Sequence, residues 1–452
     1  TERIDKVLRP TRGAGEPIVL RRCDDESDEA EFVTTQIRTL IRQHPDLEYG
    51  NFAILYRTNA QSRAFEECLV RYQIPYKVVG GLRFYDRKEI KDVLAYLRVI
   101  VNPADSVSLL RIINVPRRGI GKTSLEALTR AAQELGVPLW EIVQDETSVK
   151  TLAGRAAKGV LDFAQIIQKW QQELDSRKAS DILQGVLEDT GYIQDLRTQG
   201  TDEADERVQN VQELYNAVLE FEEENEDSDL TSFLANASLA SDLDDLEEQG
   251  KRVSLMTLHS SKGLEFPVVF LVGLEDGLFP SFRSLDDRAA LEEERRLCYV
   301  GITRAQERLF ITHARERRLY GNRMPCTPSM FLAELPAELL LTGLAAQKRS
   351  TGSDRRPQER QGSYTASHAT STRRTQPAEK SYAGRDPRRA AASSASAQPL
   401  QTWTVGEIVT HQKFGTGQIT HIFENGKTLA IKFPTQGIKV IDPRLVALQR
   451  VQ

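Results

Sequence analysis

Three stretches carry residue types that do chemistry. The first is NVPRRGIGKTSLEAL at 114–128. Its Gly121-Lys122-Thr123 is the tail of the P-loop pattern Gly-x-x-x-x-Gly-Lys-Ser/Thr, whose backbone N–H groups cradle nucleotide phosphates. That pattern needs a glycine at 116, where Pro116 stands. Proline lacks the N–H a cradle uses and its φ is fixed, so a glycine turn between two helices is the simpler reading. The second is TLHSSKGLEF at 257–266. Thr257 and His259 close an apolar run, Gly263 permits close backbone approach, and Glu265 stands just before the next apolar run. Polar residues at the carboxyl end of a strand are where open α/β sheets bind ligands, although an ordinary polar loop has the same look. The third, EEERRLCYVGITRAQERLFIT at 292–312, puts Arg304 between a helix and a strand. An arginine there reaches a phosphate on a neighbouring domain, or forms a plain surface ion pair.

The elements that must position these residues follow from hydrophobic period. NFAILYRT (51–58) reads as a buried strand, AQSRAFEECLVRYQ (60–73) as a helix with Ala64, Leu69 and Tyr72 among its apolar positions, and IPYKVVGG as a second strand. Strand, helix, strand at this spacing predicts a parallel sheet. From 82 to 240 the period is helical; DRKEIKDVLAYLRVI sets Ile90, Val93, Leu94, Leu97 and Ile100 on one face. The acidic run through 220–248 reads as a solvated face or mobile loop and is a poor DNA contact. At 251 the strand signal returns with RVSLMTLH, FPVVFLVGL and RLFITHA. The expected fold is an α/β parallel-sheet domain interrupted by an all-helical insertion.

With 452 residues, 40% apolar and 28% charged, the chain holds several domains. At a net charge of −5 any nucleic-acid surface must be local. Apolar runs such as VVFLVGL (268–274) are too short to span a bilayer, so no membrane partner is expected. Cys23, Cys68, Cys298 and Cys326 form no metal spacing, which points to a reducing cytoplasm. Thr1 rather than Met opens the sequence, so it is expected to be a piece of something longer. Between 348 and 391 there are eleven Lys/Arg against four Asp/Glu and almost no large apolar residues, the composition of a disordered basic linker. After it, 405–433 alternates apolar and polar residues around an Asn425-Gly426 hairpin turn, predicting a small β-barrel of four or five strands free to move independently.

YRTNAQSR, GGLRFYDRKEIKDVLAYLR, NVPRRGIG, TLHSSKGLEFPVVFLVGLEDGLFP and EEERRLCYVGITRA, in this order, resemble the UvrD/PcrA/Rep helicases of superfamily 1. The likeness spans 1–335, and 405–450 resembles the Tudor-like tail of PcrA and UvrD. The resemblance implies a second RecA-like domain (1–80 and 250–336), a helical insertion called 2B (81–249), a linker (337–400) and a Tudor-like barrel (401–452). It implies an ATP-dependent 3′→5′ DNA helicase acting in repair. The family's first RecA-like domain carries the P-loop, the Asp-Glu pair for Mg²⁺ and catalytic water, and a Gln-Asn-Tyr-Arg segment; none is in this sequence. ATP and Mg²⁺ are therefore expected cofactors, with the Mg²⁺ ligands in the missing half and none here. The chain alone would be inactive, or would act as a non-catalytic DNA- or RNA-polymerase-binding module.

Residue roles carry over by position. Arg57, Asn59 and Thr257 fall on the single-strand track. His259 falls near both ATP and DNA, Gly263 in the nucleotide loop, Glu265 at the nucleotide sugar and Arg304 at the γ-phosphate as the arginine finger. Tyr320 stands where relatives stack an aromatic on a base. Gly119, Ile120 and Gly121 would cradle a duplex phosphate rather than ATP, with Lys122 adding charge. Ser281 stands where relatives often carry His, which puts a DNA contact there in doubt. Single-stranded DNA and single-strand/duplex junctions are the expected substrates, for a monomer or weak dimer. RNA polymerase is the expected partner of the barrel, where Trp403, Lys413, Phe414 and Lys432 offer an aromatic and basic surface unless the two aromatics are barrel core.

Overall fold

The computed structural model describes residues 15–225, 229–242, 251–319, 321–342 and 402–451. The linker expectation, the end of the acidic run and Tyr320 lie outside the described residues. The chain opens with β1 (Ile18–Cys23), then α1 (Glu26–Gln43), β2 (Phe52–Tyr56), α2 (Ser62–Arg71) and β3 (Tyr76–Val78). After a long helical excursion come β4 (Val253–Thr257), β5 (Phe266–Leu271), α13 (Arg288–Ile302) and β6 (Ala305–Ala314). An antiparallel pair, β7 (Glu316–Leu319) and β8 (Asn322–Pro325), precedes a last strand, β9 (Leu340–Thr342).

One parallel seven-stranded sheet runs β3-β4-β2-β5-β6-β1-β9. β2 is buried along its whole length, as a strand covered on both faces must be. Its alternate side chains divide between two cores. Phe52, Ile54 and Tyr56 meet Val33 and Ile37 of α1 and Phe65 and Leu69 of α2. Ala53 and Leu55 face the side where Leu297 and Cys298 of α13 pack. β1 and α1 lie upstream of the first strand expected from sequence. β1 carries two exposed arginines, which break the apolar run that marks a buried strand.

β3 and β4 pair in register, Tyr76 opposite Val253, although the whole excursion lies between them. That excursion is helical: α3 (Lys88–Val101), α4 (Ser106–Ile112), α5 (Lys122–Leu135), α6 (Leu139–Val143), α7 (Glu146–Leu152), α8 (Ala157–Glu173), α9 (Ala179–Thr190), α10 (Tyr192–Thr198), α11 (Asp202–Glu224) and α12 (Leu230–Asp242). It has its own core, in which α3 contributes Ile90, Val93, Leu94, Leu97 and Ile100.

Toward the end of the chain, β10 (Ile408–His411), β11 (Gly415–Phe423), β12 (Thr428–Phe433), β13 (Gly437–Ile441) and β14 (Leu448–Arg450) form an antiparallel sheet in the order β13-β12-β11-β10-β14. Val409, Ile419, Leu429, Ile431, Phe433 and Ile441 fill its interior, with Trp403 and Phe414 half-buried against them. Lys413 and Lys432 are exposed. The barrel does not stand apart, as its linker led us to expect; β13 packs on α7, because the barrel's outer face also carries apolar residues.

Candidate functional site

Parallel strands deliver their following residues to one end of a sheet, and β2 and β4 are neighbours with Tyr56 opposite Thr257. Arg57, Asn59, Thr257 and His259 therefore gather at the carboxyl end. Arg57 is fixed by Glu294 of α13: Nε donates to both carboxylate oxygens at 3.0 Å and Nη2 to Oε1 at 2.6 Å. The two side chains are 22% and 7% exposed. The Arg57 and Thr58 N–H groups both donate to Gln61 Oε1, at 2.9 Å. Asn59 Nδ2 donates to Glu206 of α11 at 3.1 Å, tying this end to the insertion. Thr257 Oγ1 shares a hydrogen bond with Ser260 Oγ at 3.1 Å. Partial desolvation of His259, and then the Arg57 charge, lower its pKa below the ordinary 6.5, although the residue is exposed to solvent. Ser281 faces its neighbour Ser284 at 2.9 Å, and its N–H points to Glu294. Behind this end, Arg317 is buried between Glu29 (2.7 Å) and Glu275 (2.5 Å), and Glu275 also accepts from the Ala314 N–H. These ion pairs fix the loop after β5.

The loop 258–265 carries the chain from the carboxyl end of β4 back to the amino end of β5. There Phe266 lies opposite Ala305 and its N–H donates to the Arg304 carbonyl at 2.9 Å. Arg304 and Glu265 are thus brought together. The Arg304 guanidinium donates to the carbonyls of Val300 (2.9 Å) and Leu264 (2.8 Å) and to Thr303 Oγ1 (3.0 Å). All three acceptors are uncharged, so the hydrogen bonds orient the cation without neutralising it. Glu265 accepts from Gln306 Nε2 at 3.2 Å. Gly263 sits at φ +86°, in the left-handed region that favours glycine. The two groups of residues stand at opposite ends of the sheet, about one strand length (~17 Å for five residues) apart, joined by a single loop. His259 lies with Arg57, not with Arg304.

A third arrangement lies in the insertion, between α4 and α5. Asn114 organises the turn: its Oδ1 accepts from the N–H groups of Arg118 (2.8 Å) and Ile120 (3.3 Å), and its Nδ2 donates to the Ile120 carbonyl (2.9 Å). The Ile120 side chain is buried. Ile120 therefore anchors the turn, while Gly119 and Gly121 on either side are exposed. Gly119 has φ +72° and Gly121 is extended at φ −81°; a Cβ on either meets nothing within 4 Å. No side chain caps the first turn of α5, so its N–H groups point outward beside the exposed Lys122. Arg118 turns inward, donating to the carbonyls of Ile112 and Pro116 (each 3.2 Å) and to the Tyr96 hydroxyl (2.7 Å).

Glu294, Gln61 and Asn114 were not singled out from sequence. Gln61 and Asn114 meet partners three to six residues away and Glu294 one 237 positions away; all three lie inside YRTNAQSR, NVPRRGIG and EEERRLCYVGITRA, which were the available signal. Among the described residues no group of three or more His, Cys, Asp or Glu is placed to hold a metal ion. Among them, too, no helix is long and apolar enough to cross a membrane.

Comparison with known proteins bears on this geometry. Residues 1–316 match the family model of the UvrD-like helicase C-terminal domain, and 405–447 that of the PcrA/UvrD tudor domain. The chain is 36% identical over 464 residues to the ATP-dependent DNA helicase PcrA of Leuconostoc citreum, covering 100% of this chain and 59% of that protein. It is 37% identical over 457 residues to DNA helicase II of Haemophilus influenzae, covering 100% and 58%. It is 38% identical over 448 residues to PcrA of Bacillus subtilis, covering 97% and 57%. The chain thus spans less than two thirds of the length of these relatives.

Proposed function

The chain belongs to the UvrD-like helicase family, and we propose that it forms the C-terminal part of an ATP-dependent 3′→5′ DNA helicase and translocase acting in repair. In this reading the sheet domain is the second RecA-like lobe (1–80 and 250–336), 81–249 is the 2B insertion, 337–400 a linker and 401–452 a recruiting barrel. Arg304 and Glu265 face the nucleotide at one end of the sheet. Arg57, Asn59, Thr257 and His259 line the single-strand track at the other, with Tyr320 as the stacking residue. Gly119, Gly121 and Lys122 hold a duplex phosphate at the junction, on a turn anchored by Ile120.

The observation that carries this reading is the loop 258–265, which joins the two ends directly. An anion drawing Arg304 away from the Leu264 carbonyl pulls on the same loop that ends in Thr257 and His259. Nucleotide state and the DNA track are thereby linked through one covalent segment, Gly263 included. Arg304 stabilises charge on a transferring phosphoryl group, which is the work of an arginine finger. Mg²⁺ would arrive with the nucleotide on ligands from the family's first lobe and neutralise phosphate charge there. The barrel would recruit RNA polymerase, and the assembly would work in the cytoplasm as a monomer or weak dimer.

The test compares the isolated chain with the full-length protein. DNA-stimulated ATP turnover is expected only from the latter; turnover by the purified chain alone refutes the division of labour. The second reading, a non-catalytic DNA- or RNA-polymerase-binding module, is favoured by Pro116, which removes the single P-loop candidate singled out in this sequence. It describes the chain isolated from the P-loop half and predicts DNA or RNA-polymerase binding by that chain without turnover.

A further inference from the structure

The barrel has apolar residues on both of its faces. Along β12, Leu429, Ile431 and Phe433 point into the barrel, so Ala430 between them points out. Yet Ala430 is fully buried, as is Val440 on β13, and Phe423 at the end of β11 is buried too. These three, with the half-buried Ile438, belong to the apolar core of the helical insertion rather than to that of the barrel. Polar groups complete the contact. Lys439 Nζ pairs with the carboxylate of Asp145, and the two side chains are 15% and 9% exposed. The Val440 N–H, on the edge strand β13, donates to Ser148 Oγ at 2.8 Å. His421 Nε2 lies 3.2 Å from Glu134, near the end of α5.

We propose that this β12–β13 face is the barrel's binding surface and that the α7 region of the helical insertion is its resident ligand. The surface selects an apolar patch flanked by a carboxylate and a hydroxyl three residues apart, as Asp145 and Ser148 supply. Lys439 gives charge complementarity and the Val440 N–H gives direction. The aromatic rim adjoins it: Lys439 lies 5.7 Å from the Phe414 ring, itself stacked on His411 at 4.5 Å. While α7 is seated, an external protein that uses this face must displace it. The barrel therefore holds the insertion that carries the Gly119–Gly121 turn. This inference rests on the packing alone and stands whether or not the chain serves a helicase.

Hydrogen exchange on the intact 452-residue chain tests it. Segments 145–152 and 437–441 should exchange slowly together. Lys439→Glu should speed both by about tenfold or more, because it sets a second carboxylate against Asp145 in a desolvated contact, and losing a buried ion pair acts mainly on release. Asp145→Asn should do the same; it lies outside the barrel and keeps an oxygen to cap Ser148, so faster exchange at 437–441 cannot then come from a barrel that fails to fold. The hairpin 415–433 and α8 should keep their protection in both variants. Unchanged exchange at both segments in Asp145→Asn overturns the proposal, as does rapid exchange at the Val440 amide in the unaltered chain.

Discussion

At the carboxyl end of the parallel sheet Arg57 is locked onto the carboxylate of Glu294, and its charge is cancelled in place. At the amino end Arg304 is held as firmly in geometry, but by two carbonyls and a hydroxyl, and among the described residues no carboxylate pairs with it. The contrast separates two uses of one side chain. A guanidinium paired with a carboxylate positions its surroundings and meets an anion only by exchanging partners. One parked on neutral acceptors is oriented yet able to take an anion, with no buried ion pair to break. On this basis the proposed ligand role suits Arg304, whereas Arg57 holds α13 and the loop at 57–61.

The sharpest way to break the comparison is to remove the free charge. In the full-length protein Arg304→Ala is expected to lower kcat for ATP by about 10³-fold or more, the scale of arginine fingers, while single-strand affinity stays intact. Steady-state ATPase beside fluorescence anisotropy on labelled oligonucleotide checks both. Lost DNA binding with normal turnover would assign Arg304 to the track and erase the difference between the ends.

The converse substitution frees the cancelled charge. Glu294→Gln keeps the shape of the partner and removes its negative charge. Arg57 then becomes available to a phosphate, so the slope of log affinity against log salt for single-stranded DNA should steepen by about 0.7, the value for one added phosphate contact on a single strand. An unchanged slope, measured by anisotropy titrations across salt concentrations, would show that Arg57 does not face the DNA at all.

A site remote from both ends should move neither. Gly121 is extended and a Cβ there meets nothing, so Gly121→Val leaves the fold intact and obstructs only what approaches from outside. Loss of one backbone hydrogen bond to a phosphate, worth ~1 kcal/mol, predicts about fivefold weaker binding to single-strand/duplex junctions and no change on single strands. Gly119 is the poorer probe, because its φ of +72° strains any substitution. Equal weakening on both DNAs would place the turn outside any duplex contact.

What could be read in the sequence follows from range. Period-two and period-3.6 patterns are local, so FAILY at 52–56 and the apolar face of α3 announced their elements, and the return of strands at 251 marked the insertion. β1 was silent because Arg21 and Arg22 interrupt its apolar run. The site residues were legible as quoted motifs, but their grouping was not. The loop 258–265 looks like one polar unit, whereas the parallel sheet sends its two halves to opposite ends. Partners distant in sequence were equally hidden: Glu294 meets Arg57 from 237 positions away, and Ala430 is an outward strand residue buried in the core of the helical insertion, far upstream.

The smallest expected effect also separates the two ends. His259 belongs to the carboxyl end, and partial burial and then Arg57 lower its pKa from 6.5. A histidine with a lowered folded pKa binds fewer protons folded than unfolded, so stability rises with pH through that window. The sign is fixed: stability is full above 6.5 and declines as pH falls from 6.5 toward the folded pKa. His313 and His411 shift in the same direction, chiefly by burial, so the histidines together lower the melting temperature at pH 5.5 relative to 7.5, against the opposite pull of the buried Glu26, Glu66 and Glu67, whose pKa values burial raises. His259→Gln should shrink that difference slightly without abolishing it. Protonation also places a second cation beside Arg57, which competes for Glu294 and loosens its hold. In the unaltered chain acid should therefore steepen the salt dependence of single-strand binding, as Glu294→Gln does, while His259→Gln blunts the change. Nucleotide affinity of the full-length protein over the same pH range should not respond to His259→Gln, because among the described residues the partners of Arg304 and Glu265 include no histidine. A pH response of nucleotide binding that vanishes in His259→Gln would join the two ends electrostatically and overturn their separation.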